Sequence, residues 1–143
     1  MKKSMRTALL VATVFIVPAS LSSNLASAAE TEVQTVIPGT SAEIWKAIDG
    51  HIAELRGLIA KGTLSTVHQH AYAVRDLVRA LPIHSQGLSA AALATVSAQV
   101  KFVDILAVRL DASGDANDKA GTAANLAKLE NILKSIRSQY AAH

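Results

Sequence analysis

From Ser41 to Lys61 apolar residues recur at Ile44, Ile48, Ile52, Leu55, Leu58 and Ile59. That spacing marks one face of an amphipathic α-helix. Thr40-Ser-Ala-Glu43 has the form of a capping box at its start, and Gly62 ends it. With Thr63 as cap, a second helix is predicted over Leu64–Leu81, with Leu64, Val67, Ala71, Val74, Leu77, Val78 and Leu81 inward. Pro82 stops it, because proline cannot continue a helix. Ser89 is placed to cap a third helix over Ala90–Leu110, facing inward through Leu93, Val96, Val100, Val103, Ala107 and Leu110. Asp111–Asp115 then reads as a turn. A fourth helix over Asn117–Tyr140 follows, with Leu126, Leu129, Leu133, Ile136 and Tyr140 on its face. No segment alternates with the period of a strand. Four helices with short joints predict an all-α, antiparallel up-down-up-down four-helix bundle over residues 40–143.

The amino-terminal residues follow a different pattern. Lys2, Lys3 and Arg6 precede an apolar run from Ala8 to Val17, broken by Pro18, and Ala26-Ser-Ala28 has the A-x-A form of a cleavage site. The run is too short for the ~20 residues of a membrane span. Residues 1–28 are therefore expected to be a cleaved secretory signal and the periplasm the destination. No further span is expected after cleavage. Residues 29–39 lack helical period and read as a flexible lead-in.

This division changes the meaning of the charge. The whole chain has a formal charge of +3. All eleven acidic residues lie beyond residue 28, with eleven of the fourteen Lys and Arg, so that portion is neutral. Neutrality argues against a nucleic-acid partner, which calls for a cationic surplus. The chain has no Cys, and its two methionines, Met1 and Met5, lie in the leader. These absences exclude disulfides, a cysteine nucleophile, covalent haem, His/Met haem ligation and soft Cu(I) sites in the mature protein. Enzyme chemistry finds little support. The serines lack a nucleophile elbow, Gly114 and Gly121 make no phosphate loop, and the carboxylates look scattered.

The histidines carry the remaining chemistry. At about 100° per residue, His51 lies within roughly 40°, and His70 within roughly 50°, of the centre of its helix's apolar stripe. A hairpin at Gly62-Thr63 sets His51 level with Val74 and His70 level with Leu55. The offset is about 6 Å, across helices about 8–10 Å apart. Two inward imidazoles on facing helices can hold a metal or a haem iron. The alternative is a pair of packed histidines satisfied by groups such as Asp49 or Glu54. Glu54 and Asp104 are boundary candidates for a third ligand. His68 falls on the opposite, polar stripe with Tyr72, Arg75 and Arg79, and residues i and i+2 of a helix point apart. Hence His68-Gln-His70 does not chelate one ion. The stripe could dock an anionic partner, or be a solvated face. His84 and His143 are expected in water.

Val103-Asp-Ile-Leu-Ala-Val-Arg-Leu-Asp-Ala-Ser-Gly-Asp115, followed by Ala123–Tyr140, resembles the last two helices of class II cytochromes c, the cytochrome c prime-like bundles. The resemblance implies a periplasmic four-helix bundle. It does not bring the haem, because the region of the family's C-x-x-C-H reads Leu133-Lys-Ser-Ile-Arg137. The b-type bundle cytochromes are similar in shape, but their axial methionine has no counterpart. Ile44-Trp-Lys-Ala-Ile-Asp-Gly-His51, with Val67-His-Gln-His-Ala-Tyr-Ala-Val-Arg-Asp-Leu-Val78, is similar to small exported helical proteins linked with heavy-metal efflux. Three readings follow. The first is a non-enzymatic bundle binding a divalent metal (Cu, Zn or Ni) as an accessory to metal tolerance. The second is a metal-free partner-binding or regulatory bundle in the periplasm. The third is a b-type haem binder with two histidine ligands.

Overall fold

A computed structural model describes residues 34–141. The leader and His143 lie outside this range, as do residues 29–33 of the lead-in. Four helices form: α1 Ser41–Lys61, α2 Val67–Ala80, α3 Ala90–Asp115 and α4 Lys119–Ala141. No strand occurs among the described residues. Each helix packs on its neighbours in the chain, and α4 also meets α1.

Local chemistry fixes most of the boundaries. The Thr40 hydroxyl accepts from the Glu43 amide (3.3 Å) and donates to the Glu43 carboxylate (2.9 Å), joining cap and first turn. Gly62 takes φ +75°, and its N–H and that of Thr63 bond the Ile59 and Leu58 carbonyls. A side chain at this left-handed position would be strained. Ser89 accepts from the Ala92 amide and opens α3 as expected.

Two boundaries depart from the sequence reading. Thr63 does not cap α2. A turn through Leu64–Thr66 intervenes, and the helix begins at Val67. More consequentially, Asp111–Asp115 is not a turn, because α3 continues to Asp115. The Ser113 hydroxyl donates back to the Leu110 carbonyl, so this polar residue stays within the helix. Gly114 is buried where α3 crosses the start of α2. A Cβ there would lie 3.2 Å from both the Leu64 carbonyl oxygen and the Val67 Cβ. This glycine permits close approach and does not mark a break. The chain turns instead at Asn117, with φ 52°, and Asp118 caps α4 by accepting from the Gly121 amide.

The core is aliphatic. Ile44, Ile48, Leu55, Val67, Val74, Leu77, Val96, Val103, Leu110, Leu129 and Ile136 are fully buried. Each such side chain contributes about 1.5–3 kcal/mol relative to exposure. Trp45 and Tyr140 meet edge to face at 5.7 Å between α1 and α4. Two ion pairs span the same helices, Arg137–Asp49 and Arg56–Glu130. Exposed pairs of this kind contribute about 0–1 kcal/mol each.

The third helix is apolar on its outer side too. Phe102, Ile105 and Val108 are 54%, 49% and 55% exposed. Among the described residues α3 is the helix long and apolar enough to cross a membrane by length and composition alone. A core helix can meet the same criterion. Part of the apolar content is explained by the core, into which α3 sends Val96, Val103, Leu106, Ala107 and Leu110.

The contrasting glycine sites predict opposite effects. Gly114→Val should destabilise the protein by about 1–3 kcal/mol through overpacking. Gly57→Ala, with nothing within 4 Å of its Cβ position, should stabilise it by roughly 0.5–1 kcal/mol through helix propensity. Urea denaturation of both variants measures the two effects.

Candidate metal centre

The inward histidines meet. His51 on α1 and His70 on α2 approach with Nδ1 to Nδ1 at 3.0 Å, their rings tilted by 55° with centroids 5.3 Å apart. The two side chains bridge the space between the helices, as the inward placement of both rings predicted. One Nδ1 carries the bonding proton and the other accepts it, so the contact requires at least one neutral ring. Burial, followed by the neighbouring His70 imidazole, holds His51 below the usual histidine range; Glu54 acts weakly in the opposite direction. Each imidazole is the other's partner. Asp49 is taken up by Arg137 instead.

A cavity of about 280 Å³ opens beside the pair, and Gln34 and Thr35 of the lead-in form part of its wall. That end of the lead-in is irregular yet anchored, since His84 Nδ1–H donates to the Gly39 carbonyl at 3.0 Å. His84 is thus half-buried and bonded, which corrects its expected place in water. The two boundary candidates, Glu54 and Asp104, do not join the pair. Glu54 is exposed on α1. Asp104 belongs to the α2–α3 seam, where it accepts from Arg79 Nε at 2.8 Å.

The polar stripe of α2 also departs from expectation. Its residues face α3. Arg79 reaches Asp104 and Asp76, and Arg75 bonds Asp76 while its guanidinium lies 4.5 Å over the Tyr72 ring. The Tyr72 hydroxyl donates to Asp111 Oδ2 at 2.6 Å. This bond, with burial and the carboxylate charge adding to it, pushes the Tyr72 phenol up to about 12. Both arginines are matched by carboxylates on the protein itself.

His68 is half-buried at the end of this seam and does not project freely into water. One ligand atom each from His68, Asp111 and Asp115 lies within 4.8 Å of the others. The carboxylates are therefore not all scattered: Asp111 and Asp115 stand one turn apart on one face of α3. Sequence reasoning missed this group by ending the helix at Leu110, which left the two aspartates without a common face. Continuing the helical period through Ala112-Ser-Gly would have revealed it.

No family model matches this chain, and no curated protein or solved structure does either.

The depressed His51 pKa makes stability depend on pH. The folded protein binds the His51 proton less tightly than the unfolded chain does. The resulting stabilisation is fully present above the ordinary value of 6.5 and is lost as pH falls below it through the lowered folded-state value. The Tm of wild type should fall across that window more steeply than that of His51→Gln, as thermal melts at a series of pH values would show.

Proposed function

We propose that this protein is a non-enzymatic, exported helical bundle that binds a divalent metal ion, Cu(II), Zn(II) or Ni(II), through His51 and His70. Its role is accessory to metal tolerance. The observation that carries this reading is the 3.0 Å approach of two imidazole nitrogens from different helices. Two nitrogens bound at about 2.0–2.1 Å to a tetrahedral zinc stand roughly 3.3 Å apart. An ion can take the place of the shared proton, which passes through water to Nε2 of the donor ring so that both ligands stay neutral, with an opening of a few tenths of an ångström by that comparison. Water completes the coordination from the adjoining cavity, which is where an exchangeable ion would enter. The same contact favours a metal over a b-type haem. Two axial imidazoles stand on opposite faces of a macrocycle, whereas these rings touch directly.

The bundle itself is read as up-down-up-down. Along α2 and α3, the bonded partners fall from Asp111 to Asp104 on one helix as they rise from Tyr72 to Arg79 on the other. Asp49–Arg137 with Arg56–Glu130, and Gln99–Ser135 with Ser113–Thr122, follow the same inverse order on the other seams. This order supports antiparallel neighbours. The periplasmic location rests on the tripartite pattern of residues 1–28, and the ligand set of imidazoles without sulfur suits an oxidising compartment and intermediate cations.

Zinc should raise the Tm of wild type by mass action, since the ion binds the folded state. His51→Ala and His70→Ala should each remove the part of that rise contributed by this pair. Binding should also weaken as pH falls, because a protonated ring cannot ligate. Calorimetric titration of zinc into each variant checks the assignment, and unchanged affinity and stoichiometry in both would contradict it.

A further inference from the structure

We infer that His68, Asp111 and Asp115 form a second divalent-cation site, separate from the imidazole pair and built on the opposite flank of α2. It does not rest on the His51–His70 reading. Three observations converge on it.

The first is the donor set. One nitrogen and two carboxylate oxygens come within 4.8 Å of one another from two helices. Donors around a zinc ion bound at about 2.0–2.2 Å stand roughly 3.3–3.6 Å apart in a tetrahedron. Side-chain rotation by about an ångström closes that gap, with no helix movement required. An imidazole with two carboxylates suits zinc and its first-row neighbours, and three protein ligands leave positions open for water.

The second is the rigidity of the platform. Asp111 and Asp115 belong to a continuous helix, one turn apart. The buried Gly114 between them lets α3 lie directly against the start of α2, close to His68. Holding the carboxylates on a helix at this crossing fixes their spacing before any ion arrives.

The third is the outer support. Tyr72, one turn along α2 from His68, donates its hydroxyl to Asp111 Oδ2. This leaves the other carboxylate oxygen unengaged by that bond and sets the plane of the group. Outer hydrogen bonds of this kind orient metal-binding carboxylates. Nearby cations do not neutralise the site: Arg75 bonds Asp76, and Arg79 bonds Asp104.

The arrangement gives His68-Gln69-His70 a use that a single chelate does not. The two imidazoles diverge from one helix, His70 toward α1 and His68 toward α3. One site offers nitrogen donors and the other a mixed nitrogen–oxygen set.

Zinc titration by calorimetry tests the proposal, with zinc alone as the probe. In a His51→Ala/His70→Ala background, one zinc equivalent should still bind. Adding Asp115→Asn, an exposed position where folding is preserved, should weaken that binding at least roughly fivefold. Adding His68→Asn should do the same, with circular dichroism confirming the helices. A smaller change in either, or the loss of all binding in the background, would overturn the site. Competition by an equal concentration of Mg²⁺ would also overturn it, as it would indicate ordinary acidic-patch binding. The two readings fail separately. A single wild-type zinc that disappears with His51 and His70 rejects this site, whereas a single zinc indifferent to those changes retains it and rejects the imidazole pair.

Discussion

Val67, Ala71, Val74, Leu77 and Val78 bury one side of α2, and the packing of that side sets where every other group on the helix falls. With no cysteine in the chain, shape and burial must hold this element in place. Loss of one large aliphatic side chain from such a core costs about 2–5 kcal/mol, a substantial share of the stability of a small domain. Because α1 and α3 both pack against α2, groups on its two flanks meet different partners. His70 meets His51 on one side. His68, Tyr72 and Arg79 meet the aspartates of α3 on the other.

Much of this was legible in the sequence. The period of Ile44, Ile48, Ile52 and Leu55 gave α1 its exact bounds, because a strong cap and a left-handed glycine reinforce the apolar pattern at both ends. The meeting of His51 and His70 was also legible, since both sit near their apolar stripes. What could not be read was how far outward-facing positions are covered by a neighbouring helix. A hydropathy pattern calls His68 and Tyr72 polar and therefore wet. In the folded protein α3 extends beyond Leu110 and covers them. The error at Asp111–Asp115 has a specific cause: Ser, Gly and Asp are turn formers in isolation, but Gly114 is present because two helices approach closely there. A tertiary requirement looked like a local break.

The two candidate centres differ in what they ask of the protein. In the proposed reading the imidazole pair would give up its hydrogen bond and shift the donor ring's proton to Nε2 to take an ion, so binding would compete with protonation and with a bond that already satisfies both Nδ1 atoms. The inferred His68 group would draw its two carboxylates from one face of α3, and a cation there would offset the repulsion between them. The exposed Phe102, Ile105 and Val108 lie on another part of α3 and serve neither centre.

The central claim is that α2 directs two histidines into two different chemical environments. Imidazole ¹⁵N spectra of the full-length protein, recorded during a zinc titration, test it most directly. In the free protein, the nitrogens of His51 and His70 should show one shared Nδ1 proton. As zinc is added, His51 and His70 should shift together and His68 on a separate course, while His84, bonded to Gly39, stays unchanged. Parallel shifts of His51, His68, His70 and His84, or no shifts at all, would contradict the account.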